Sequence, residues 1–267
     1  MYVSTRCNFP NFSLTWLSAN DFEEYAPTKL YPKLTNEIIN ELNIEKGIEW
    51  SMSAFLLEAE GKKVLFDSGF YDEKNKNGIL ERLKELKISP DEIDYIFITH
   101  CHWDHIDGLI DSKNNLNYKN AKIYISKDEF NGDIKAGPPH KADTLERVKK
   151  ACEKQIIQFD FENDVLPLGI KPIKAFGHTP GHTCYRKDEL LIIGDLIHGE
   201  KIQFKYPEIC AVFDADENQS IESRKRILKY AEENNLFMAG HHLQFTHFGI
   251  CNKYYQNKLI FQIYKLL

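Results

Sequence analysis

Short apolar runs that break off into polar loop residues recur along the chain. Residues 54–59 and 63–66 flank Gly61 and predict two strands joined as a hairpin. Runs at 95–98, 123–125, 170–176, 190–193 and 236–239 read as further strands, being rich in Ile, Leu, Phe and Tyr and bounded by polar or glycine residues. Ile79, Leu83 and Leu86 recur at helical spacing and predict a helix over 78–86, and residues 141–154 predict another. Asp216 stands three residues before Gln219, a capping signature. It opens a helix to about Glu233, with Ile221, Leu228 and Ala231 turned inward. A further helix is expected around 34–42. Strands interspersed with helices mean a mixed α/β protein. Several apolar runs end in His or Asp, at Thr99-His100, Gly177-His178, Gly194-Asp195 and Gly240-His241. Polar residues gathered on loops at strand ends are how a rigid sheet presents a site.

The densest chemistry is the run Thr99-His100-Cys101-His102-Trp103-Asp104-His105. With 10 His in 267 residues, such a run arises by chance on the order of once in a thousand chains of this length. On an extended strand exit His100 and His102 project to one side. A following turn into a helix would bring Asp104 and His105 to a neighbouring position. Four donors within six residues crowd one tetrahedral ion, so the run predicts two metals. Other strand ends supply more donors: His182 in the Pro- and Gly-fixed turn 177–183, Asp195, whose two oxygens can bridge two cations, and Gly240-His241-His242. Mixed imidazole and carboxylate ligation suits Zn²⁺ best, with Mn²⁺ or Fe²⁺ as alternatives.

The ordered set Asp67, His100, His102, Asp104, His105, His182, Asp195 and His242 resembles the metallo-β-lactamase superfamily from about Ser53 to Gly249. Residues 194–198, 202–204, 207–208 and 239–245 are similar, more narrowly, to its methyl parathion hydrolase branch, whose last motif reads G-x-H-L-P-F-P. Gln244 and Thr246 stand in place of the two prolines. The resemblance implies a four-layer αββα sandwich, a single domain over 1–267, with 21–50 as an N-terminal extension or lid. It implies one ion on His100, His102 and His182, a second on Asp104, His105 and His242, and Asp195 between them. The H-x-x-F-x-x-x-G frame selects His242 over His241. Asp67 would orient ligand imidazoles. A hydroxide bridging two divalent cations would be the nucleophile, oriented by Asp104 and Asp195, with Tyr185 as a candidate general acid. The implied activity is hydrolysis of a small ester, lactone or phosphotriester. A glyoxalase-II-like thioesterase, a β-lactamase and a diiron redox protein are the alternatives. β-Lactamases of this type lack a carboxylate at the Asp195 position, and diiron members carry Glu at that of His102. Only 25 residues follow His242, short of the helical region that glyoxalase II adds.

Other polar residues have plainer readings. His140 and His247 are expected at the surface, and His178 in the hydrogen bonding of its own turn. His198 could stand behind the metal or face the substrate, while alternation turns Cys101 into the core. Asp214 and Asp216 are expected to serve the following helix N-terminus. Trp50, Tyr185, Tyr206 and Phe213 belong to the core or to the cleft.

Composition narrows the partners. A net charge of −6 with no basic face argues against nucleic acid, and no apolar run reaches the ~18 residues of a membrane span. Residues 1–20 lack a secretory signal pattern. Six scattered cysteines without a C-x-x-C pair suggest free thiols in a reducing cytoplasm. The expected partner is a small-molecule substrate, with a homodimer possible.

Overall fold

The computed structural model describes residues 5–19, 25–72, 76–134, 137–243, 252–255 and 258–261. Two mixed β-sheets carry the chain, each with strands adjacent in the order they occur in sequence. The first runs Thr5–Asn8, Phe12–Ser18, Ser53–Ala59, Lys62–Phe66, Tyr95–Phe97, Lys122–Ser126 and Ile156–Phe159. Its pairs are antiparallel up to Lys62–Phe66 and parallel afterwards. The second runs Lys171–Lys174, Thr183–Lys187, Leu190–Gly194, Phe237–Gly240, Asn252–Tyr255 and Lys258–Phe261. Leu190–Gly194 and Phe237–Gly240 are parallel, so a crossover must join them, and the Glu217–Glu233 helix provides it.

The central strands are apolar on both faces because both faces are covered. Leu14, Trp16, Phe55, Leu57, Val64, Phe66 and Phe97 join residues of the second sheet, such as Tyr185 and Ile192, in one cluster. That cluster continues to Ile227, Leu228 and Ala231 of the 217–233 helix. The alternate residues Leu17, Ala54, Leu56, Leu65 and Ile96 pack with Ile79 and Leu83 of the Gly78–Glu85 helix. Leu145 and Val148 of the Thr144–Ala151 helix complete that face. The layers are therefore helix, sheet, sheet, helix, the expected αββα sandwich. No helix among the described residues is long and apolar enough to cross a membrane.

The predicted elements lie close to the observed ones, and the differences have local causes. Asp216 accepts a hydrogen bond from the Gln219 N–H at 2.9 Å, as its capping signature requires. The helix expected over 141–154 starts only at Thr144, because Pro139–Lys141 forms a separate 3₁₀ turn. Among the strands that carry no prediction are Thr5–Asn8, Phe12–Ser18, Ile156–Phe159 and Thr183–Lys187. Ile156–Phe159 is a sheet edge, and Thr183–Lys187 mixes polar with apolar residues, so neither shows a clean run.

Within 25–50, Ala26, Tyr31, Ile44 and Ile48 pack against Ile202, Ile209 and Ala211, forming a third cluster beside the sandwich. The helix here is Asn36–Leu42, capped by Thr35 and ended by Asn43 in the left-handed region. Residues 21–24 and His247 lie outside the described residues.

Candidate metal centre

The site forms where strands of both sheets run out at one edge of the sandwich. Thr99–His105 follows Tyr95–Phe97, with Trp103–Ile106 as a single helical turn. His178 lies in the turn after Lys171–Lys174, Asp195 follows Leu190–Gly194, and His241 and His242 follow Phe237–Gly240.

Four imidazoles share one arrangement. Their Nδ1 atoms face an oxygen of the protein, and their Nε2 atoms face the centre. His100 Nδ1 is 3.1 Å from Thr99 Oγ1, and His105 Nδ1 is 2.8 Å from Asp67 Oδ2. His178 Nδ1 is 3.0 Å from Asp214 Oδ1, and His242 Nδ1 is 2.9 Å from the Ser51 carbonyl. An oxygen acceptor at Nδ1 fixes the tautomer and leaves an Nε2 lone pair for a cation. Asp67 also accepts from the Thr99 N–H and hydroxyl, both at 2.8 Å. Its φ of 63° is unusual for a residue with a side chain, and such strain is found where a site over-determines the backbone.

Two groups of donors converge. His100 Nε2, His102 Nδ1 and His178 Nε2 lie 2.9–3.1 Å from one another, with Asp195 completing the group. Asp104, His105, His241 and His242 form the second group. Asp195 reaches both: Oδ2 is 3.5 Å from His178 Nε2 in the first group, and Oδ1 is 3.1 Å from His105 Nε2 in the second. All are buried except His102, which is half-buried.

Charge differs between the groups. Burial, reinforced by neighbouring imidazoles, holds His100 and His102 well below the ordinary histidine range. Burial also opposes protonation of His105 and His242, but Asp195, aided by other carboxylates, outweighs it and raises both. In turn His242, His105 and His100 overcome burial at Asp195 and hold it well below the carboxylate range.

The structure does not bring His182 into either group. Its Nε2 accepts the Asp195 N–H at 3.0 Å, so Nδ1 carries the proton and donates to the Ala175 carbonyl at 3.1 Å. Both nitrogens are thus committed to backbone, and burial pushes its pKa down to about 3. His178, read from sequence as a turn residue, occupies the place expected for His182. Gly194 explains the close fit: it adopts φ 51°, and a Cβ there would stand 2.7 Å from His182 Nε2.

Further placements differ from expectation. Asp214 does not cap the helix; it is buried between His178 and Arg224, whose Nη2 is 3.1 Å away. Tyr185 lies between the sheets, donating its hydroxyl to the Ile98 carbonyl at 2.7 Å, and is no candidate acid. Cys101, as alternation predicts, is buried in the core, on the helix side. His105 Nε2 and Asp195 Oδ1 are buried and face each other without a hydrogen bond, and the ring nitrogens of buried His198 and His241 likewise make no side-chain hydrogen bond of good geometry. Such orphaned atoms are costly in a dry interior unless something supplies a partner, and a cation would do so for His105 Nε2 and Asp195 Oδ1, which otherwise set a lone pair against a lone pair. The donor set therefore fits divalent metal.

Above the donors opens a cavity of about 770 Å³, walled by Trp50, Met52, Trp103, Ile134, Val212 and Phe213. Trp50 packs on His242, with ring centroids 4.5 Å apart. Among the described lining residues there are carboxylates and imidazoles but no Lys or Arg.

Comparison with known proteins agrees with this fold. Residues 48–241 match the family model described as Metallo-beta-lactamase superfamily. The probable metallo-hydrolase MJ0296 of Methanocaldococcus jannaschii is 29% identical over 156 residues, 58% of this chain and 61% of that protein. The chain thus matches under two thirds of that relative's length. Among solved structures, the hydrolase AbOPH of the β-lactamase superfamily is 26% identical with a TM-score of 0.82, over 98% of both chains. AidC, a dizinc quorum-quenching lactonase solved with a product homoserine, is 24% identical with a TM-score of 0.84, over 99% of this chain and 98% of that one.

Proposed function

The chain belongs to the metallo-β-lactamase superfamily, and from that premise we propose that it is a dinuclear metal-dependent hydrolase of a neutral, largely apolar ester, lactone or phosphotriester. His100, His102 and His178 would hold one divalent cation and Asp104, His105 and His242 the other, with Asp195 between them. Zn²⁺ is the leading candidate for this donor set. When bound, the pair supplies Lewis acidity that acidifies water and polarises the scissile bond.

The protein's own part is orientation and exclusion of bulk water. Thr99, Asp67, Asp214 and Ser51 hold the imidazoles in one tautomer, so that lone pairs need no rearrangement on loading. Asp104 and Asp195 place carboxylate oxygens beside the centre, where they can orient a water molecule. The aromatic wall shields the floor from solvent and offers surface to an apolar substituent.

The observation that carries the substrate class is the cavity's lining. Carboxylates and imidazoles without a cationic side chain among the described residues suit a neutral substrate. A carboxylated β-lactam or a phosphodiester would find no Lys or Arg there to pair its charge away from the cations themselves. The superfamily fold shared with a lactonase puts lactones on the test panel, and the resemblance to the methyl parathion hydrolase branch adds phosphotriesters. The test is turnover by metal-loaded protein of a lactone, an aryl ester, a phosphotriester and a carboxylated β-lactam. A neutral substrate should be turned over fastest, and a chelator should stop it. Preference for the β-lactam, or full activity after complete metal removal, would overturn the reading.

A further inference from the structure

One buried carboxylate, Glu129, joins the two loops that carry His100, His102 and His178. It lies in the short Lys127–Phe130 helix, fully shielded from solvent. Oε1 accepts the Cys101 N–H at 2.6 Å, and Oε2 accepts the Thr179 hydroxyl at 2.7 Å and the Gly181 N–H at 2.9 Å. Cys101 sits between His100 and His102, and Thr179 directly follows His178. Two of the three donors, Cys101 and Thr179, thus adjoin the three imidazoles of one group, on loops from different sheets.

Ser126 adds a second tie between this helix and the 177–183 turn. Ser126 caps the helix by accepting the Glu129 N–H at 3.2 Å, and its own hydroxyl donates to the Gly181 carbonyl at 3.0 Å. A Cβ on Gly181 would stand 2.0 Å from the Glu129 nitrogen, so the turn presses directly on the helix. Burying a carboxylate this completely is costly unless its hydrogen bonds are needed where they fall. An apolar residue could fill the volume, but it could not fix two loops to one point.

We propose that Glu129 is a positioning residue: it sets the spacing between the His100–His102 pair and His178, and so holds the three-imidazole cation seat in binding geometry. This inference rests on the two-cation reading above. It is specific to one seat, because Glu129 hydrogen-bonds neither the Asp104–His105 turn nor residues 241–242.

The test is Co²⁺ titration of chelator-stripped protein, followed by visible absorption, for wild type, Glu129→Gln and Thr179→Val. Glu129→Gln should weaken one of two Co²⁺ ions by roughly 10- to 100-fold and alter its absorption bands, leaving the other ion in place. KM should stay within about twofold, and excess metal should restore kcat. Thr179→Val, which removes one donor and leaves no charge unpaired, should give a severalfold loss at the same ion. If Glu129→Gln does not fold, as judged by circular dichroism, the Thr179→Val titration decides. Wild-type affinity at both ions in a folded variant overturns the inference. So does equal weakening of both ions in step with melting temperature, since a general loosening would act on both. Wild-type protein that loads no Co²⁺ takes the two-cation reading down with it, whereas two ions in wild type and variant alike sink Glu129's role alone.

Discussion

The floor and the wall of the cleft are built differently. On the floor, inward-facing imidazoles are backed by buried oxygens, among them carboxylates of Asp67 and Asp214, with Glu129 behind the loops. The wall has little of this. Val212 and Phe213 remain 53% and 38% exposed, and Trp50, Phe213 and His198 meet through ring contacts. Hydrogen bonds to charged groups fix direction, whereas apolar contacts fix only proximity. The difference teaches where each property resides: the floor determines which chemistry is possible, and the wall determines which molecule reaches it.

The harshest way to break this division is at the floor. His102→Ala should abolish detectable hydrolysis and lower bound metal, measured by elemental analysis, while the far-ultraviolet spectrum stays native. Asp214→Asn sharpens the comparison, since Asp214 borders the cavity and also orients His178. It should weaken one cation by roughly 10- to 100-fold, and denaturant melts should show lower stability because the buried Arg224 loses its ion pair. Phe213→Ala tests the wall alone. Metal content should be unchanged, and kcat/KM for an apolar substrate should fall roughly tenfold through KM.

The smallest effect is expected behind the wall, at Glu200. Burial, with Glu49 adding to it, raises the Glu200 pKa to about 7. The folded state then holds a proton that the unfolded state releases above its ordinary value of 4.5. Stability should therefore fall as pH rises from about 4.5 to about 7, by no more than about 3 kcal/mol. Glu200→Gln should flatten that slope in melts across this range without touching metal affinity.

The layered fold was legible because strands covered on both faces read as apolar runs. Ile156–Phe159 was not, because its middle residues Ile157 and Gln158 are exposed and break the run. Within the site, the Thr99–His105 run announces itself by spacing, and Asp195 and His242 by their place at strand ends. His178 and His182 could not be separated that way. Both stand in one turn, and the choice depends on Gly177, whose φ of 127° sets the path of that turn. It depends equally on Asp214, which lies 36 residues further along the chain and becomes a partner only through folding. Nothing in local sequence records that His182 spends both nitrogens on backbone.

Donors reach the centre from both sheets: 100–105 from the first, and His178, Asp195 and His242 from the second. Cations seated among them would act as a clasp across the seam of the sandwich, so that loading fastens one half of the molecule to the other. Mechanical coherence and chemical competence would then be acquired together, and a chain starved of metal would be loose along the very line where its substrate enters.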